Sequence, residues 1–194
     1  MAKRINMSTF NKKLSTNRAF KSELRKKASE KIESSKALLL SDFNSHPVTK
    51  EIEGGASSAN ISGTLGGYGN LYTFIGFAFG NRPTSVVKSL LATIKAGKVK
   101  KSRSTRNRAS VEVEIQIPTK EAFYKATPLP FESGRSWLYG IESGISGFGS
   151  YFYKKWQGSR SGNAFQADKK VRGGGFRNTS YFSGMLLAFT KRIR

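Results

Sequence analysis

The sequence predicts an α+β fold, with a long N-terminal helix and a C-terminal helix packed on a small, mainly antiparallel sheet, joined by long Gly-rich loops and basic arms. Three observations carry that expectation. Apolar residues recur at helical spacing from Phe20 to Phe43 and again from Tyr181 to Phe189. Val111, Val113, Ile115 and Ile117 alternate with Glu112, Glu114 and Gln116, the period-2 pattern of a half-buried strand. The segments between are rich in Gly, Ser and Asn, which suits loops more than core elements.

A chain of 194 residues is most simply one domain, 1–194, long enough to bury a sizeable core. Its formal charge is +22, from 34 bases against 12 acids. Such a field attracts polyanions, and nucleic acid or an acidic protein surface is the usual partner. The 14 Phe and 7 Tyr argue that the chain nevertheless folds. With no Cys and one His, His46, neither a thiolate metal site nor a His-based catalytic triad is expected, and we expect no cofactor. No apolar run approaches the roughly 20 residues that span a bilayer, and no apolar segment follows Lys3 and Arg4 as in a signal peptide. A soluble protein is expected, in a reducing compartment or inside a particle.

In chain order, residues 1–16 read as a basic arm that orders only on a partner. Asn17 is a good N-cap. From it Phe20, Leu24, Ala28, Ile32, Leu39 and Phe43 form one narrow stripe on a helix of roughly seven turns. The opposite face carries Lys21, Arg25, Lys26, Lys27, Lys31 and Lys36. The helix is expected to stop near Asn44, ahead of an extended His46-Pro47 dipeptide, with Val48–Gly54 read as a short extended segment. Gly54–Gly69 reads as a loop. Its Gly63, Gly66, Gly67 and Gly69 do not make a phosphate loop, because no Lys-Ser or Lys-Thr follows and no helix is expected to open from it.

Leu71–Phe79 reads as an apolar strand and as the partner of Val111–Ile117. A turn at Gly80-Asn81-Arg82-Pro83 leads to a short helix with Val86, Val87, Leu90, Leu91 and Ile94 on one face and Gly97 as its stop. Residues 98–109 then form a basic loop or hairpin arm. Lys98, Lys100, Lys101, Arg103, Arg106 and Arg108 fall within eleven positions that hold no acid. Pro118 ends the following strand, Lys120–Lys125 forms a helical turn, and Thr127-Pro128-Leu129-Pro130 is extended. In Ser133–Trp156, Trp137, Leu138, Ile141 and Ile145 keep helical spacing, then aromatics interleave with Lys154 and Lys155. A Gly-rich basic stretch precedes the last helix, from about Thr179, whose final turn carries Lys191, Arg192 and Arg194.

Two acid pairs, Glu51/Glu53 and Glu112/Glu114, would each share one face of a strand; we read them as solvent-facing charge, not as a catalytic dyad. Glu142 and Asp168 have no metal partners in the pattern, and nothing resembles a nucleophile elbow, so no enzymatic activity is expected. The candidate contacts to a polyanion or a partner are Lys98, Lys100, Lys101, Arg103, Arg106, Arg108, Lys154 and Lys155. No zinc finger, basic zipper or RNA-recognition strand appears, so phosphate attraction without base readout is expected if the partner is nucleic acid.

Three stretches carry a resemblance to a known family. They are His46–Gly55 (HPVTKEIEGG), Ser62–Phe79 (SGTLGGYGNLYTFIGFAF) and Gly134–Tyr153 (GRSWLYGIESGISGFGSYFY), about a quarter of the chain. They resemble virion structural proteins of tailed bacteriophages, in particular the neck or tail-completion proteins of the head–tail connector. The resemblance implies a small α+β subunit in a homo-oligomeric ring, commonly a hexamer, around the DNA channel. Portal, adaptor and tail proteins would be its neighbours, packaged DNA a non-specific contact, and the virion its location after assembly in the host cytoplasm. It carries no catalytic residues. The high positive charge departs from the acidic linings common in such channels, which leaves open whether the basic surfaces face DNA or acidic neighbours. A nucleic-acid-binding protein without sequence preference is the alternative expectation.

Overall fold

The computed structural model describes residues 17–65, 69–104, 109–130, 132–143 and 180–193, without side-chain detail at 101–104, 109–111, 132 and 133. Helix α1 (Arg18–Ser45) is the spine. The Asn17 side chain caps it as expected, accepting from the amides of Ala19 at 2.8 Å and Phe20 at 3.3 Å. Its 28 residues span about 42 Å, but only the C-terminal half is embedded: its buried residues are Ile32, Ser35, Leu39 and Phe43. Helix α7 (Phe182–Ile193) and the β-hairpin described below both pack on α1. Arg192 reaches Asp42 at 2.8 Å across the α1–α7 contact.

Helix α2 (Pro47–Glu53) replaces the extended segment expected at Val48–Gly54. Pro47 occupies the first turn, where its missing N–H costs nothing, and the His46 imidazole Nδ1 accepts from the Val48 amide at 3.2 Å. His46 itself is extended, as the following proline requires. A 3-10 turn at Gly55–Ser57 opens the Gly-rich loop.

The expected strand Leu71–Phe79 is instead a short helix, α3 (Leu71–Ile75), followed by a turn. The Asn70 side chain accepts from the Thr73 amide at 2.9 Å, and Gly76, at φ 83°, closes the helix in the left-handed conformation. Apolar residues on both faces made the alternation uninformative, and two capping residues decided the conformation. Helix α4 (Thr84–Ala92) follows, burying Val87 and Leu91. It ends at Thr93, not at Gly97; Lys36 donates to the free carbonyls of Ala92 and Ile94 at 3.4 and 3.2 Å, so this lysine of the expected basic face serves as a cap.

Strands β1 (Lys95–Ser104) and β2 (Ala109–Gln116) form an antiparallel hairpin. The partner of the alternating strand is therefore the basic arm, not 71–79. Ile115, Ile117 and Ala96 pack against the core, while Glu112 and Gln116 are exposed, so the alternation fixed the faces correctly. Helix α5 (Lys120–Ala126) covers the predicted turn, and β3 (Pro128–Leu129) pairs with β4 (Glu132–Ser136) in a second two-stranded sheet. Helix α6 (Trp137–Ser143) buries Trp137, Leu138 and Ile141 as the spacing predicts. Ile145 and the basic aromatic stretch after it lie outside the described residues, as does the arm 1–16.

Aromatic contacts join the pieces. Tyr181 stacks on Phe43 with ring centroids 5.8 Å apart, lies 4.7 Å from the His46 ring, and shares a 2.6 Å hydrogen bond with Thr49. Phe123 meets Phe182 at 4.4 Å, and Phe77 sits between Tyr72 and Trp137. Each fully buried ring contributes on the order of 2–3 kcal/mol by apolar burial alone, so this chain of rings is the main cement between α1, α2 and α7.

Burial holds the His46 imidazole below its ordinary pKa of 6.5, and protonation removes the Nδ1 lone pair that caps α2. A folded pKa below the unfolded one means the stabilisation is complete above about pH 6.5 and is lost as pH falls from there toward the folded value. The melting temperature should therefore drop more between pH 7 and pH 5 (roughly the window of a lowered His pKa) in the wild type than in His46→Asn, which keeps a cap that does not titrate. Glu51→Gln should cost about 1–3 kcal/mol in urea denaturation, because it turns a doubly bonded buried carboxylate into an amide facing an amide donor. Glu53→Gln, at a half-exposed ion pair, should cost under about 1 kcal/mol.

Candidate polyanion and partner interface

The carboxylates divide into structural roles. Helix α2 places Glu51 and Glu53 on different sides, since residues two apart on a helix do not share a face. Glu51 is fully buried, and its two oxygens accept from the Ser62 amide at 2.8 Å and the Leu71 amide at 2.7 Å. The expectation of solvent-facing charge fails for this residue. Glu53 pairs with Lys88 at 2.6 Å and accepts from the Thr84 hydroxyl at 2.8 Å. Glu142 accepts from the Ser183 amide and hydroxyl at the start of α7 and from the Tyr124 phenol at 3.1 Å. Burial, with the Glu142 charge adding to it, pushes Tyr124 up to about 12. Each of these three carboxylates is engaged in holding backbone or a neighbouring side chain. Among the described residues, no three of His, Cys, Asp and Glu gather closely enough to hold a metal ion.

The cations have a different distribution. Lys98 and Lys100 stand exposed on β1, and Lys100 lies 3.1 Å from Glu114 on β2. That pair is largely solvated and is worth at most about 1 kcal/mol, so it yields readily to another anion. The backbone register sets Lys101 opposite Glu112 and Arg103 opposite Ser110. The hairpin thus aligns four of the predicted contacts on one strand. Arg106, Arg108, Lys154 and Lys155 lie outside the described residues.

The sequence pattern puts the cations of α1 on the face opposite its apolar stripe, and their arrangement is more telling than that. No residue from Arg18 to Lys31 is buried. Lys21 and Arg25 are four apart, as are Lys27 and Lys31, spacings at which like charges repel along a helix. Arg18 and Lys21 occupy the first turn, with no acid there, at the positive end of the helix dipole. Among the described residues the ion pairs of α1 are Lys36–Glu33 and Asp42–Arg192, and none of these outer cations joins them. Because α1 packs on β1 and β2, its cations and those of the hairpin belong to neighbouring elements. This surface gains free energy from an incoming polyanion twice, by attraction and by relief of its own repulsion.

No family model, no curated protein and no solved structure matches this chain. The function of the surface is therefore to be sought in its own chemistry. No helix among the described residues is long and apolar enough to cross a membrane.

The hairpin's shape depends on one glycine. Gly97 is buried where the register of β1 shifts, and a Cβ there would stand 3.1 Å from the Glu114 carbonyl oxygen and 3.3 Å from the Glu114 side chain. The backbone oxygen cannot rotate away. Gly97→Ala should lower stability by about 1–3 kcal/mol and speed amide exchange over 95–104 in segment-resolved measurements. Unchanged exchange there would mean the register adjusts freely.

Proposed function

We propose that this chain is a non-enzymatic structural subunit of a tailed-phage particle. In this reading it forms a ring of the neck or tail-completion type that joins the portal region to the tail around the DNA channel. The observation that carries the reading is the set of apolar side chains left in solvent, Phe79, Ile61, Leu187, Tyr139 and Leu38, each more than half exposed, on a chain that also displays the crowded cations of α1. A lone monomer gains nothing from either feature, while a neighbour in an assembly covers the first and neutralises the second. The three stretches that resemble neck proteins support placing that assembly in a virion. The carboxylate clusters support a structural role, since Glu51, Glu53 and Glu142 are taken up by backbone, hydroxyl and ammonium donors.

The second reading is a nucleic-acid coat protein without sequence preference. The cations on the first turns of α1 favour it, since phosphates answer them without any apolar contact.

One variant separates the two. Replacing Lys100, Lys101 and Arg103 with Ser leaves Ala96, Ile115 and Ile117 in place against the core, so the hairpin should fold. If β1 meets a protein neighbour, the variant keeps its DNA affinity and fails to enter assembled particles in a complementation assay, which is the expected result. If β1 meets phosphates, the dependence of log K on log salt flattens by about 0.9 for each phosphate no longer neutralised. A variant that assembles normally yet shows that flattening would establish the second reading in place of the first.

A further inference from the structure

The turn after α3 presents a single ring to solvent. Phe79 is 96% exposed, yet the backbone around it is tightly held. The Tyr72 hydroxyl donates to the Ala78 carbonyl and, at 3.1 Å, to the Asn81 carbonyl. The Asn81 amide donates back to Ala78 at 3.0 Å. Two residues before Phe79, Phe77 is buried between Tyr72 and Trp137 at centroid distances of 5.4 and 5.8 Å. Gly76 and Gly80 take the positive φ values that fold the chain around it. A large aromatic on a pre-formed turn, beside exposed Val86 and Arg82, loses little entropy on docking and is the usual anchor of a protein contact.

A receiving site lies elsewhere on the same chain. At the base of the hairpin, Thr93, Ile115, Ile117 and Pro118 line an open groove of about 460 Å³ with Lys95 and Glu114 among its lining residues. Ile115 and Ile117 are packed on the core by one side only and keep apolar surface toward solvent. The Glu114 side chain is engaged by Lys100 in a solvated pair that exchanges easily.

We propose that Phe79 of one copy inserts into the hairpin-base groove of a second copy, with Arg82 exchanging for Lys100 at Glu114. The occupant is a second copy because one chain carries both the knob and a groove whose apolar floor and carboxylate answer Phe79 and Arg82. Arg offers a carboxylate two parallel donors where Lys offers a point charge, so the exchange is favourable or neutral. Knob and groove are different surfaces, so the contact is head-to-tail and generates a ring when the rotation closes. This inference rests on the ring reading above and names the surfaces that would build it.

Native mass spectrometry of the purified chain and its variants tests it. The wild type should form a closed oligomer larger than a dimer. Phe79→Ser and Ile117→Glu should each be monomeric. Their mixture should stop at a one-to-one dimer, because one chain keeps only the groove and the other only the knob. Arg82→Glu and Glu114→Arg, both at solvent-accessible positions and so safe for folding, should each abolish the oligomer, and the double variant should restore it. Oligomers that persist in Phe79→Ser, or a double variant that stays monomeric, would overturn the proposed contact while leaving the ring reading intact. A wild type that is monomeric at every concentration would overturn both.

Discussion

The Glu51 carboxylate is the point on which the order of the middle of the chain depends. The loop after α2 has little apolar material of its own, with Leu65 its one fully buried aliphatic side chain among the described residues. Hydrophobic burial alone cannot fix such a segment. Two charge-assisted bonds from Glu51 to the amides of Ser62 and Leu71 fix it at two places nine residues apart in sequence. Bonds of this kind are worth roughly 1.5–3 kcal/mol each, comparable to a buried leucine. Asn70 extends the same logic by donating to the Ala56 and Ser58 carbonyls while capping α3. With Leu71 set, α3 is set, and through Tyr72 and Phe77 so is the turn that holds Phe79. Polar groups here do what aliphatic side chains do in an ordinary core.

The rest of the core follows the opposite strategy. Where α1, α2 and α7 meet, the contacts are rings: Phe43, His46 and Tyr181, with the Tyr181 phenol satisfied by Thr49. Burial raises the Tyr181 pKa well above its ordinary value, so the phenol stays a neutral donor or acceptor over the physiological range. Glu142 plays toward α7 the part Glu51 plays toward the loop, receiving the first amides of the helix at its positive end. The acids are few, and several are committed to backbone or to a structural contact. The surface is consequently left cationic by more than composition alone dictates.

The sequence made the long-range periodic elements legible and concealed the capped ones. α1 and α7 declare themselves by their repeat over many residues, Asn17 by its position, and the faces of β2 by strict alternation. α2 and α3 were hidden because they are seven and five residues long, too short for a helical period to be distinguished from an alternating one. Their signals were Pro47 at a first turn and Asn70 with Gly76 bracketing five residues, which are cap signals rather than periodic ones. Gly97 looked like a helix stop because glycine serves both there and where two backbones approach, and only the approach of Glu114 distinguishes the cases. The candidate cations on β1 were legible as charge, but their alignment required knowing that the arm is itself the strand's partner. Phe79 carried no signal, since an exposed phenylalanine and a buried one are the same letter.

Charge and shape together say why such a surface is tolerable. Like-charge pairs at four-residue spacing cost a few tenths of a kcal/mol each, and cations at a helix N-terminus cost a similar amount. The first half of α1, with no buried side chain to offset these terms, should be the least stable part of the helix in the free chain. That half becomes the most stabilised part once phosphates or carboxylates neutralise it. A surface of this kind couples local order to the arrival of its partner, and the coupling runs through α1 into the hairpin packed on it. The hairpin base is where we place the groove for a second copy. Neutralising α1 should therefore stiffen the seat of the subunit contact, so that polyanion binding and self-association favour one another.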